Sequence, residues 1–251
     1  MQVNVWSLFD SGNGSYTREL KKHSDIENYA IGIDREDKNN HFINLNLADY
    51  SFLFGEDLLF KELDKLPNPD VILASPPCES WSVASAMRGG NACWKQEKGD
   101  SLFEPQMPLS RFTIREFEDY EEYQFKPYKS LSTRINGELT ILNTIRIIKR
   151  YKPTVHVIEN PAHGRVWEYI YKVLGFNIEH ENITYYNNYD DYPIKKPTKF
   201  ASNIKINLKK KDIPNKIDFN KTGWSYNERS NIPPSLVEEL VSEIKGHLKG
   251  A

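Results

Sequence analysis

Four short apolar runs constrain this chain more than any other feature, because each is cut off by a turn that carries a polar or reactive side chain. Val3–Phe9 stops at Asp10-Ser-Gly-Asn-Gly-Ser15, and Tyr29–Ile33 stops at Asp34. Val71–Ala74 stops at Ser75-Pro-Pro-Cys78, and Thr154–Ile158 stops at Glu159-Asn-Pro161. Runs this short, bounded by turn residues, read as buried strands. Helical patterns lie between them, over Tyr16–His23 and over Leu139, Ile141, Leu142, Ile145 and Ile148 before Pro153. Weaker signals place a strand near His41–Leu47 and a helical or irregular piece at Leu58–Leu66. A helix at Arg165–Leu174 and strands at Asn177–Tyr185 and Ile204–Leu208 follow. Strands alternating with helices predict a layered α/β fold, and in a parallel sheet the strands' carboxyl ends form the crevice where ligands bind.

The remaining stretches decorate that core. Residues 86–130 have no clean period and read as an insertion, either a lid or a binding element. After Ile232-Pro-Pro-Ser235 an amphipathic helix runs from Leu236 to Leu248, with Ser235 as expected N-cap and Glu238 as its capping-box partner. A chain of 251 residues suits a single domain, 1–251, with these additions. A net charge of -2 supplies no global attraction for nucleic acid, so any basic surface must be local. Two cysteines, Cys78 and Cys93, build neither a disulfide framework nor a zinc cluster, which predicts no metal and a reducing compartment. With no signal-like start and no apolar run of membrane length, a soluble cytoplasmic protein is expected.

Two constellations carry chemistry. Ser11, Gly12 and Gly14 let backbone approach a ligand after the first strand, and the helix N-terminus that follows offers N–H groups. Asp34, about 20 residues beyond, could accept hydrogen bonds from two ribose hydroxyls. Together they predict an adenosine-containing cofactor. Cys78 and Glu159 follow apolar strands, both beside prolines, and in one parallel sheet both would face one crevice. A thiolate nucleophile paired with a carboxylic acid of raised pKa is the expected result.

These residues carry a resemblance. Ser7-Leu-Phe-Asp-Ser-Gly-Asn-Gly-Ser-Tyr-Thr17, Gly32-Ile-Asp34, Ser75-Pro-Pro-Cys78 with Ser82, and Ile158-Glu-Asn-Pro161 occur in the order seen in DNA (cytosine-5) methyltransferases. Glu159-Asn-Pro-Ala-His-Gly164, the Lys196-Pro-Thr segment ending in Asn203, and Arg229-Ser-Asn-Ile-Pro-Pro234 resemble the short phage-encoded branch of that family. The resemblance implies a Rossmann-like fold, mainly parallel with helices on both faces, and a C-terminal segment, 229–248, that returns to the core. It implies S-adenosylmethionine as cofactor, DNA as partner and a bacterial cytoplasm as the setting. Phe9, Asp10, Ser11, Gly12 and Gly14 would hold the methionine part, Asp34 the ribose, and Asp57 (or Asp49) the adenine edge, with Pro76 beside the cofactor. Cys78 would attack carbon 6 of cytosine, and Glu159 would hold the ring's N3 and amine. Pro77, Ser82, Asn160, Pro161, Lys196 and Lys199 would shape or contact the substrate site.

The chain also departs from the family pattern. Ser11 and Asn13 stand where glycine is common, and lysines around Pro197 replace an arginine motif. Too few residues separate Asn203 from Arg229 for a typical target-recognition domain. Sequence choice would then come from the 86–130 insertion, from a partner, or be very loose; with its acidic run at 116–122 the insertion could equally be a homo-oligomer contact. RNA or a free pyrimidine nucleotide is the alternative substrate, and a non-catalytic binding or regulatory protein is the alternative class. An amino-methyltransferase fits less well, because Cys78 occupies the place where a base-stacking aromatic is expected.

Overall fold

The computed structural model describes residues 2–33, 41–83, 126–217 and 230–250, with the single residues 118, 223 and 228. In chain order it contains β1 (Val3–Leu8), α1 (Ser15–Leu20), β2 (Ile26–Gly32), β3 (Phe42–Asn44), a 3-10 turn (Ser51–Phe54), α2 (Leu58–Leu63) and β4 (Val71–Ala74). Then come α3 (Pro127–Tyr151), β5 (Val155–Pro161), α4 (Val166–Glu168) with a π-turn (Tyr169–Val173), β6 (His180–Tyr185), β7 (Pro197–Ser202) and α5 (Pro234–Gly250). The seven strands form one sheet in the order β3-β2-β1-β4-β5-β7-β6. β1 to β5 are parallel, and β7 runs antiparallel between β5 and β6. This is a Rossmann-like α/β sheet whose order reverses between β1 and β4, the point at which such sheets open a ligand crevice.

Both faces of the sheet are covered, and strand alternation sorts the side chains. Val3, Val5, Val71, Leu73, Val155 and Val157 pack with Tyr16 and Leu20 of α1 and with Leu236, Val237, Leu240 and Val241 of α5. Trp6, Leu8, Ile72, Ala74 and Ile158 point the other way, onto Leu59 and Leu63 of α2 and Ile141, Ile145 and Ile148 of α3. Each fully buried aliphatic or aromatic side chain contributes roughly 1.5–3 kcal/mol of transfer free energy, so the strands are held by two cores. Buried polar groups are tied across the layers: Ser7 donates to Asn28 at 2.6 Å, and Asn28 donates to Thr17 at 3.0 Å.

Four sequence expectations are corrected here. β5 does not end at Ile158 but continues through Glu159, Asn160 and Pro161, which pair with Phe200, Lys199 and Thr198 of β7. The Lys-Pro-Thr stretch is therefore a strand, whereas 204–208 is not. Asn182 explains the second point: its Nδ2 donates to Phe200 O at 2.9 Å and its Oδ1 accepts from Ile206 N at 3.0 Å, so a side chain replaces the ladder. α3 begins at Pro127, inside the segment read as an insertion; 84–117 and 119–125 lie outside the described residues. Ser235 lies within α5 rather than capping it, and Asp190 accepts its backbone N–H at 2.8 Å instead. No helix among the described residues is long and apolar enough to cross a membrane.

Candidate active site

The turn after β1 is organised by one buried acid. Asp10 is 5% exposed, and its carboxylate accepts the backbone N–H of Gly12 at 2.9 Å, of Gly14 at 3.0 Å and of Thr17 at 3.1 Å. The donors that the sequence offered to a ligand are thus already occupied. A Cβ at Gly14 would sit 2.8 Å from that carboxylate, and one at Gly32 would sit 2.5 Å from Asp10 O. Both positions need glycine because the Asp10 turn closes onto α1 and β2. Phe9 enters the turn with φ +65, a conformation rare for a bulky residue and characteristic of constrained sites.

Two cavities of about 280 Å³ each meet at this turn. Phe9, Asp10, Ser11 and Pro77 line both. The first extends over the ends of β2 and β3, along Gly32, Ile33, Asn46 and Leu47, to Asn136 and Thr140 of α3. Its floor is fixed by Asn143, whose Nδ2 donates to Leu47 O at 2.9 Å and to Asp49 O at 2.7 Å. The second contains Cys78, Glu159 and Lys196, with Tyr16, Ser75, Pro76 and Pro161, and is closed by Ser230–Ile232. Ile232 N donates to Ser15 Oγ at 2.9 Å, which docks the C-terminal segment beside the turn.

Cys78 is half-buried at the start of a turn in which Trp81 N and Ser82 N donate to its carbonyl at 3.0 and 2.9 Å. The two prolines before it are gripped from β5: Asn160 Nδ2 donates to Pro76 O at 2.9 Å. Asn160 thus shapes the loop, while its Oδ1 has no partner among the described residues. Glu159 is 9% exposed. Burial raises its pKa, and Lys196, Ser75 and Tyr186 each pull it back. Tyr186 Oη donates to Glu159 Oε1 at 3.4 Å. Lys196 Nζ stands 4.3 Å from the centre of the Tyr186 ring. Burial lowers its pKa, against the opposing pull of Glu159 and Cys78. Both partners of this pair therefore lose charge to burial, and each restores part of the other's.

Other expected site residues lie elsewhere. Asp57 lines neither cavity; it accepts from Arg146 at 2.8 Å, and Arg146 also donates to Asn143 Oδ1 at 2.9 Å. Asp49 accepts from Ser51 within its own turn. Lys199 lines neither cavity; it is paired with Glu181 at 2.8 Å and lies 4.7 Å from the centre of the Trp167 ring. Ser82 contributes its backbone to the turn and does not line the cavity. Asp34 lies outside the described residues, as does Cys93. The sequence reading missed Asn46, whose Oδ1 accepts Ala48 N at 2.9 Å at the edge of the first cavity. It also missed Tyr16, Ser75 and Tyr186 around Glu159. Asn46 follows a three-residue strand, a signal too short to place it. Among the described residues no group of His, Cys, Asp and Glu could hold a metal ion.

No known protein-family model matches the chain, and no curated protein matches it. Among solved structures it is similar to a prophage-encoded protein of E. coli described as a DNA modification methyltransferase, with 12% identity and a TM-score of 0.41. That alignment covers 80% of this chain and 46% of the other. It is also similar to an Entamoeba histolytica methyltransferase, with 18% identity and a TM-score of 0.41, covering 84% of this chain and 57% of the other. The chain thus spans about half the length of the solved structures it matches. At this level of similarity neither bears on what the chain does.

Proposed function

We propose that this protein transfers a methyl group from S-adenosylmethionine to carbon 5 of cytosine in DNA, through a covalent Cys78 adduct. The observation that carries the reading is the placement of Cys78, Glu159 and Lys196 in one cavity that shares Phe9, Asp10, Ser11 and Pro77 with a second. Two reactants could meet across that common wall.

The first cavity suits a cationic donor better than a dinucleotide. A phosphate would need open N–H groups at the glycine turn, and Asp10 occupies those of Gly12, Gly14 and Thr17. What the turn presents instead is a buried carboxylate, whose field favours an ammonium or sulfonium. When bound, the donor supplies an electrophilic methyl group on a positively charged sulfur. Asp10 and Ser11 would hold its amino-acid end, and Asn46 and Ile33 would border the remainder.

In the second cavity the Cys78 thiolate adds to carbon 6 of the pyrimidine, and electron density moves to carbon 5. Glu159, whose pKa burial raises, would hydrogen bond N3 and, in its protonated form, offset the charge that develops on the ring during addition. Lys196 lines the same cavity, and its charged form is favoured by both Glu159 and Cys78 against the cost of burial. After methyl transfer, loss of the carbon 5 proton to a base expels the thiolate and restores the ring. A cytosine in duplex DNA would have to leave the stack to enter, which costs a few kcal/mol.

The test is transfer of a labelled methyl group to cytosine-containing DNA, with RNA and free cytidine nucleotides in parallel. Label at carbon 5 of DNA cytosine, lost in Cys78→Ala, is the expected outcome. Label in RNA or nucleotides alone would replace the substrate. Donor binding without transfer to any of them would favour a non-catalytic protein.

A further inference from the structure

The turn that carries Cys78 is held from two sides by contacts that the proposed chemistry leaves unused. From the β5 side, Asn160 grips Pro76 O, and Arg165 N donates to Trp81 O at 2.9 Å. From α3, Thr133 O accepts the hydroxyl of Ser80. Ser80 is 2% exposed and Trp81 fully buried, so the turn is sunk into the fold rather than laid over it. It fits because α3 has a buried glycine where the turn crosses the helix. A Cβ at Gly137 would lie 2.5 Å from Ser80 Oγ, 2.7 Å from Ser80 Cβ and 3.2 Å from Trp81 Nε1. Within a helix of 25 residues glycine is a poor choice and alanine the best one. The crossing turn is what forbids alanine here.

We propose that Gly137 and Ser80 are positioning residues for Cys78: the notch at Gly137 sets how deep the turn lies, and the Ser80 hydroxyl fixes it along the helix. The inference rests on the reading of Cys78 as the nucleophile. Ser80 is two residues from the thiol, and the carbonyl of Cys78 accepts Trp81 N at 3.0 Å and Ser82 N at 2.9 Å, so a push on Ser80 is a push on Cys78. The same helix borders the donor. Thr133, Gly137 and Thr140 follow one another at helical spacing on a single face. Thr133 and Gly137 meet the turn, whereas Thr140, with Asn136 beside it, lines the first cavity. α3 therefore sets the distance between the thiol and the donated methyl group. A displacement of about 1 Å in such a geometry can cost roughly a hundredfold in rate.

The experiment measures the rate at which iodoacetamide alkylates Cys78, read by mass on the Cys78 peptide so that Cys93 does not enter, in protein that circular dichroism shows to be folded. Gly137→Ala should raise that rate at least threefold, because the half-buried thiol is pushed out of its seat. Ser80→Ala, which removes only the hydroxyl, should raise it by less. Adding Ser80→Gly to Gly137→Ala takes away the atoms in collision and should return the rate to that of Ser80→Gly alone. In the methyl-transfer assay Gly137→Ala should lower kcat at least tenfold, while its affinity for S-adenosylmethionine stays within twofold of wild type. Alkylation within twofold of wild type in both Gly137→Ala and Ser80→Ala would overturn the proposal. So would an equal rise in Val241→Ala, which loosens the opposite core, because the effect would then be general. If Gly137→Ala does not fold, Ser80→Ala decides alone. Alkylation needs neither donor nor DNA, so the result stands even if the wild-type protein methylates nothing; an unmoved thiol in an active enzyme removes the seat and leaves the function.

Discussion

The carboxylate of Asp10 accepts the backbone N–H of Gly14 at 3.0 Å, and the same group binds Gly12 and Thr17, so one side chain closes the turn between β1 and α1. Asp10→Asn keeps the shape but aims an amide NH2 at backbone donors. At least one hydrogen bond to a charged acceptor is lost, worth about 1.5–3 kcal/mol. A fall of that size in unfolding free energy is expected in denaturant titration, together with a loss of S-adenosylmethionine affinity of at least tenfold by calorimetry. Wild-type affinity in a destabilised Asp10→Asn protein would separate the turn from the donor.

Glu159 makes the site costly above acidic pH. Its folded pKa is raised by burial, so the unfolded chain gives up that proton first as pH rises. The penalty starts as pH passes the ordinary carboxylate range and is complete above the folded pKa. Glu159→Gln, which cannot ionise, should therefore melt higher than wild type at pH 8 and close to it at pH 4, while losing methyl transfer. An equal or lower melting temperature at pH 8 would mean that Glu159 is ionised and well paired in the folded protein.

His156 makes an opposite, purely structural contribution. Burial lowers its pKa to about 4, and its ring centroid lies 6.0 Å from that of Phe176. The unfolded chain binds a proton near pH 6.5 that the folded protein refuses until about pH 4. Stability should fall across that window as the solution is acidified, by on the order of 1–3 kcal/mol. His156→Phe should flatten that part of the stability curve in urea titrations at pH 4.5 and 7. An unchanged slope would assign the acid sensitivity to other groups.

Asn143 and Asp57 should behave differently although Arg146 touches both. Asn143 holds Leu47 O and Asp49 O under the first cavity, and its loss strands two carbonyls. Asp57 makes a partly exposed ion pair, worth about 0–1 kcal/mol. Asn143→Ala should weaken donor binding severalfold more than Asp57→Ala. The reverse order would return the adenine edge to Asp57.

Much of this arrangement was legible in the sequence, for identifiable reasons. The apolar runs at Val3, Tyr29, Val71 and Val155 are all strands, because each is short, β-rich and ended by a turn. Cys78 and Glu159 were read as facing one crevice from the order of those runs, and they line one cavity. The strand Pro197–Ser202 was not legible, since a proline at its first position and the charged Lys199 within it hide a pairing that depends on β5 and β6. Asp57 and Lys199 were misplaced because a charge in sequence says nothing of the partner it will meet; Arg146 and Glu181 are far away along the chain. Tyr16 and Ser75 escaped notice for the same reason: their contact spans two crossovers.

The central claim is that Cys78 bonds covalently to carbon 6 of cytosine. It is tested most directly by incubating the protein with S-adenosylmethionine and a DNA duplex in which 5-fluorocytosine replaces cytosine, then reading the intact mass under denaturing conditions. Fluorine cannot leave as the carbon 5 proton does, so the account predicts a stable protein–DNA adduct carrying one added methyl group. Peptide mapping should place it on Cys78, and Cys78→Ser should abolish it. An enzyme that methylates unmodified DNA at carbon 5 but forms no such adduct would contradict the account.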